Sequence, residues 1–115
     1  MLIPKRGDIF IVNFDPTIGS EVGKTRPALV LQNDIGNHYS PVTIVAAISS
    51  HFDEVIYPTE VLITPPEGGL SEKSVIVLNQ IRTIDKKRLI KKIGELNSKS
   101  IEKVDRAIGI SLGLI

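Results

Sequence analysis

Eighteen isoleucines and ten valines in 115 residues constrain this chain more than any other feature. Side chains branched at Cβ lose rotamer freedom in a helix and pack well on a pleated surface. They predict a chain built mainly of strands. Its length suits one domain, residues 1–115, which buries about two-thirds of the surface that the unfolded chain exposes. Hydrophobic residues make up 42% and charged residues 23%. That balance excludes a disordered chain and a collagen-like one. There is no cysteine, which excludes a disulfide framework, a thiolate zinc site and a thiol nucleophile.

The pattern along the chain divides those residues into strands. Asp8–Phe14 reads as a strand, with Ile9, Ile11 and Asn13 on one face and Phe10, Val12 and Phe14 on the other. Asp15-Pro16-Thr17 ends it, and a Gly-rich polar loop runs to Arg26. Pro27–Gln32 and Thr43–Ile48 are nearly continuous apolar runs, as in strands covered on both sides. Asn33–Pro41 between them carries loop and turn signals. After the polar stretch His51–Pro58, Thr59–Ile63 reads as a strand and Pro65–Gly69 as a turn. Ser74–Leu78 and Gln80–Ile84 read as two strands broken near Asn79. Only the C-terminus reads as a helix, capped by Asn97 or Ser98, with Ile101, Val104, Ile108 and Leu112 forming one apolar stripe. The expected architecture is mainly β: a small, strongly curved antiparallel sheet or barrel with a C-terminal helix packed on it.

The net charge of +1 says little, but its distribution is uneven. Nine basic and four acidic residues fall between Arg82 and Arg106, whereas His51 to Glu72 holds five acids and no Lys or Arg. Such polarity can steer an anionic ligand, although ordinary solvated faces explain it equally well. No apolar run approaches the roughly 20 residues that span a bilayer. No signal-peptide stretch opens the chain, so the expected location is the cytoplasm, away from any membrane.

Chemistry is expected in the loop Asp15–Pro27, which is long for a hairpin connection and ends in Arg26. The planar guanidinium suits a phosphate, and an ion pair at a sheet edge is the structural alternative. Ser49-Ser50 leaves the third strand as a hydroxyl pair, and capping of the strand end is the simpler explanation. His38 and His51 are the only histidines and are most simply solvent-exposed. No nucleophile triad order, phosphate-binding Gly-rich loop or metal-ligand cluster is present, and the adjacent Asp53 and Glu54 do not make a metal pair.

Taken together, Lys5-Arg6-Gly7-Asp8, Phe14-Asp15-Pro16-Thr17, Gly19-Ser20-Glu21 and Arg26-Pro27 form an ordered series of motifs. The series continues with Leu31–Asn37, Ile44–Ile48 and Asn79–Asp85. In that order and spacing the chain resembles the MazF/PemK family of toxin endoribonucleases over nearly its whole length. The resemblance implies an SH3-like, PemK-type barrel that pairs as a homodimer. It implies sequence-selective cleavage of single-stranded mRNA without metal or other cofactor, leaving a 2′,3′-cyclic phosphate and a 5′-hydroxyl. It also implies a MazE-like antitoxin partner whose tail lies across the RNA groove. Carried over residue by residue, the catalytic arginine falls on Arg26, the strand-end threonine on Ser49 and the loop glutamate on Glu21. Ser20, Lys24, Gln80 and Arg82 are the implied RNA contacts.

Two positions depart from the family pattern. Ser49 stands where threonine is usual, so the methyl that restricts χ1 is missing, and Ser50 is a second candidate hydroxyl. Asp53 and Glu54 lie in a loop that is often basic in relatives. The implied chemistry needs a cation on the phosphorane and a proton route from the 2′-OH to the leaving 5′-oxygen. Arg26 can supply the first, and Glu21 is a candidate proton acceptor. The rival functions are a non-enzymatic gyrase poison of the same fold and an inactive RNA-binding relative.

Overall fold

The computed structural model describes residues 3–115. Six strands form one antiparallel sheet: β1 (Asp8–Asn13), β2 (Thr25–Val30), β3 (Val42–Ser49), β4 (Glu60–Ile63), β5 (Ser74–Asp85) and β6 (Leu89–Glu95). Their order across the sheet is β4-β5-β3-β2-β1-β6. Among the described residues two α-helices join the sheet, α1 (Asp34–Tyr39) and α2 (Ser98–Ser111). The expected mainly-β architecture with a C-terminal helix is the one observed.

Both sheet faces are apolar, and alternation along each strand explains why. Ile9, Leu29, Ala46, Ile48, Ile76 and Leu78 pack on one side with Val104 and Ala107 of α2. Phe10, Val12, Phe14, Ala28, Val30, Val45, Ala47 and Ile84 pack on the other. The apolar runs of β2 and β3 therefore supply residues to two cores at once.

The sheet curls until its edges are bridged. The turn Glu67–Gly69, between β4 and β5, packs against β6 at the far edge. The approach is so close that a side-chain carbon on Gly69 would lie 1.8 Å from the Ile93 carbonyl oxygen. Gly69 also has φ +72°, a conformation that glycine adopts freely. This bridge gives the curled sheet a barrel-like closure with an open mouth.

Several elements differ from expectation. The break near Asn79 is a bulge within one twelve-residue strand: Ala46 pairs with Ile81, but Ile48 pairs with Ile76. Bulges bend a strand and sharpen its twist, and this one contributes to the curl. Asn33–Pro41, expected as loop, contains α1. Asn33 caps it by accepting the Gly36 N–H at 2.8 Å, and Asn37 is held beneath by Thr43 Oγ1 at 2.7 Å. Six residues are too few to display helical periodicity. β6 was not anticipated, because Lys91 and Lys92 interrupt its apolar pattern. As an edge strand it needs only one covered face, and charged side chains there discourage pairing with another chain.

In α2, Asn97 Oδ1 accepts the Ser100 N–H at 2.9 Å, as expected of the cap. Leu112, placed on the apolar stripe, is 60% exposed because the helix ends at Ser111.

Candidate functional site

Register assembles the expected site residues on one sheet face. Arg26, second residue of β2, pairs with Val12 of β1. Ala28 pairs with Ala47 of β3, and carrying that register two residues further sets Arg26 across from Ser49. Arg82 of β5 pairs with Val45, so it and Gln80, two residues earlier, project to the same side. Arg26, Ser49, Gln80 and Arg82 thus share the face that carries Phe14 and Ala47.

The β1–β2 loop folds over that face and is pinned along its length. Phe14 N–H donates to Lys24 O at 2.9 Å, and Lys24 N–H donates to Asp15 Oδ1 at 2.8 Å. Glu21 Oε1 accepts the Ile18 N–H at 2.6 Å, a bond that closes the loop tip. Val22 packs on the core, and its N–H donates to Gln80 Oε1 at 3.3 Å. A small cavity of about 80 Å³ remains between loop and sheet, lined by Glu21, Val22, Ala47, Gln80 and Arg82 among others.

Arg26 is oriented by this loop. Its Nε donates to Gly23 O at 2.8 Å, while both Nη groups have no protein hydrogen bond among the described residues. The expected alternative, an ion pair, is not formed there. A fixed guanidinium with a free fork is ready for a phosphate. Ser49 Oγ donates to His51 O at 3.0 Å and accepts His51 N–H at 3.1 Å. It caps the strand end, and the same two bonds fix its rotamer in place of the missing methyl. Ser50, on the opposite face, lines the barrel mouth with Pro27 and His51. Ser20 and Lys24 lie exposed on the loop.

Arg82 is partly committed to the scaffold, since its Nη1 donates to Phe14 O at 2.5 Å. Arg88 also holds the loop base, with Nη1 donating to Asn13 O at 3.0 Å and to Asp15 O. Sequence reasoning missed it because it sits in a run of like charges with nothing to single it out. His38 lies in α1 with its ring edge-on to Tyr39, so it is not part of the site. In the acidic loop, Tyr57 OH donates to Asp53 Oδ2 at 3.2 Å, and that bond pushes the phenol's pKa above its usual value. Among the described residues no three His, Asp or Glu side chains converge as metal ligands would.

Known proteins are similar to this chain in sequence and fold. Endoribonuclease EndoA of Bacillus subtilis is 50% identical over 114 residues, spanning 99% of this chain and 98% of that one. The crystal structure of MazF (Form-I) from Deinococcus radiodurans superposes with a TM-score of 0.85 at 26% identity, covering 98% of this chain and 99% of the other. A MazE–MazF structure (Form-II) from the same organism matches at TM-score 0.79 and 27% identity over the full length of both chains. The model for PemK-like, MazF-like toxins of type II toxin–antitoxin systems matches residues 5–112, and the chain belongs to that family.

Proposed function

We propose that this toxin-family endoribonuclease cuts single-stranded mRNA by internal attack of the RNA 2′-hydroxyl, with no metal ion. The oxygen attacks its own phosphorus, the P–O5′ bond breaks, and the products carry a 2′,3′-cyclic phosphate and a 5′-hydroxyl. The 2′-OH proton leaves to a base, and the departing 5′-oxygen takes up a proton. Need for a 2′-OH spares DNA. One observation carries this reading: Arg26 presents a free guanidinium fork on the same face as the Ser49 hydroxyl. The fork neutralises the phosphorane, and Ser49 orients the 2′-OH or a phosphate oxygen. Glu21 stands at the cavity edge as the candidate base, with one carboxylate oxygen held by Ile18. Ser20, Lys24, Gln80 and Arg82 guide the strand across this face.

The working form is a homodimer in the cytoplasm, regulated by a MazE-like antitoxin. The MazE–MazF pairing in the Deinococcus structure supports that partner. Exposed Ile18, Ile35 and Tyr39 supply apolar surface for protein contacts.

The test is incubation with single-stranded RNA in EDTA, followed by analysis of the new ends. Cleavage that leaves cyclic phosphate supports the reading. Intact RNA together with inhibited DNA supercoiling would replace it with the gyrase-poison alternative.

A further inference from the structure

The mouth of the curled sheet lies on the opposite face from Ser49. It is an open cavity of about 510 Å³, a size that accepts a small ligand. Ile11, Pro27, Ile48 and Ile93 floor it, while Lys24, Arg26 and Lys91 stand on its rim. Register explains the floor: Ile11 pairs with both Pro27 and Lys91, so these neighbours share one face across β2, β1 and β6. The Lys24 and Lys91 ammonium groups have no protein partner among the described residues. The rim's one acid, Glu72, comes from the segment between β4 and β5, so the rim has a cationic side and an acidic side.

Arg26 borders this mouth as well as the Ser49 face. A strand whose scissile phosphate sits on the Arg26 fork therefore has its next nucleotide beside the mouth. An apolar floor suits the flat face of a base, and two free ammonium groups suit the phosphate that joins it. We propose that the barrel mouth is a nucleotide subsite for the residue flanking the cut. Its base lies against Pro27, Ile11 and Ile48, and its outer phosphate is held by Lys24 and Lys91. Glu72 repels phosphate, so the backbone follows the lysine side. The inference rests on the RNA-cleaving reading above, and wild-type cleavage is the control that separates the two.

Lys91 is exposed, so Lys91→Gln leaves the fold alone. On a long RNA we expect KM to rise about tenfold with kcat nearly unchanged, and the salt dependence of binding to fall by about one phosphate contact. On a dinucleoside monophosphate, which carries the flanking base but no outer phosphate, Lys91→Gln should match wild type. Ser71→Trp, which fills the mouth from its rim, should raise KM on both substrates, because both carry the flanking base. Lys103→Gln, a change of equal charge on α2, should alter neither substrate. Wild-type cleavage with unchanged KM in both mouth variants would overturn the subsite while leaving the nuclease reading standing. An equal loss for Lys91→Gln on long and short substrates would also overturn it, since the lysine would then act at the scissile phosphate and not at the outer one.

Discussion

Gln80 Oε1 accepts the backbone N–H of Val22 across 58 residues of chain, which fastens the β1–β2 loop to the sheet above Arg26. Gln80→Ala should leave stability within about 1 kcal/mol, the usual net value of one hydrogen bond. Cleavage should nevertheless fall about tenfold or more, because the loop that orients Arg26 is released. Rates normalised to folded protein, with thermal melts alongside, check both parts.

Arg26→Ala should cut the cleavage rate by a factor of about a hundred or more, near 3 kcal/mol of transition-state stabilisation, with the fold intact. Arg26→Lys should also be poor, since a point charge reproduces neither the Nε bond to Gly23 nor the fork. A lysine variant with wild-type turnover would exclude bidentate phosphate binding.

Ser49→Ala should lose most activity, and Ser50→Ala little, because neighbours on a strand face opposite ways. Ser49→Thr should keep activity or raise it. Ser49 also caps β3 through His51, so its alanine variant should melt slightly earlier. Specific activity per folded molecule separates the two effects. If Ser50→Ala were the inactive variant, the hydroxyl assignment would move by one residue.

Tyr57 should titrate above the ordinary phenol range, because the Asp53 carboxylate accepts its O–H and disfavours a second negative charge. Asp53→Asn should bring the titration down. Phenolate absorbance in a Tyr39→Phe background, where Tyr57 is the remaining tyrosine, reads this directly. The sign for stability follows: the bond's contribution is present below the unfolded phenol pKa and is lost as pH rises through the raised folded value.

Gly69→Ala should destabilise the fold by roughly 3 kcal/mol or more, combining left-handed backbone strain with overlap on Ile93 O. Gly19→Ala also has positive φ but meets open space, so it should be much milder. Denaturant unfolding of the pair isolates the close approach from the backbone term.

The β-branched runs made β1 to β5 legible in the sequence, because alternation and apolar continuity are local signals. β6 was hidden, since an edge strand bearing Lys91 and Lys92 looks like a charged linker until β1 is beside it. α1 was hidden by its shortness, with Asn33 as the only cap signal. The bulge in β5 registered as a break near Asn79, correct in place but not in kind. For the site, the family motifs supplied Arg26, Ser49, Glu21 and Gln80; strand register brings Arg26, Ser49 and Gln80 to one side, and the β1–β2 loop carries Glu21. Arg88 stayed invisible because its partners, the Asn13 and Asp15 carbonyls, are more than 70 residues away in sequence.

Ala28 and Ala47 pair where β2 and β3 cross the middle of the sheet, on the face that Val22 covers and both essentially without exposure. A bulky side chain at Ala47 would overfill the small cavity beneath Val22 and press on the loop that aims Arg26. A toxin built this way has many routes to silence. In a culture selected for survivors, harmless alleles should arise at these alanines and at Gly69 as readily as at Arg26, and most would carry an untouched guanidinium pointed in the wrong direction.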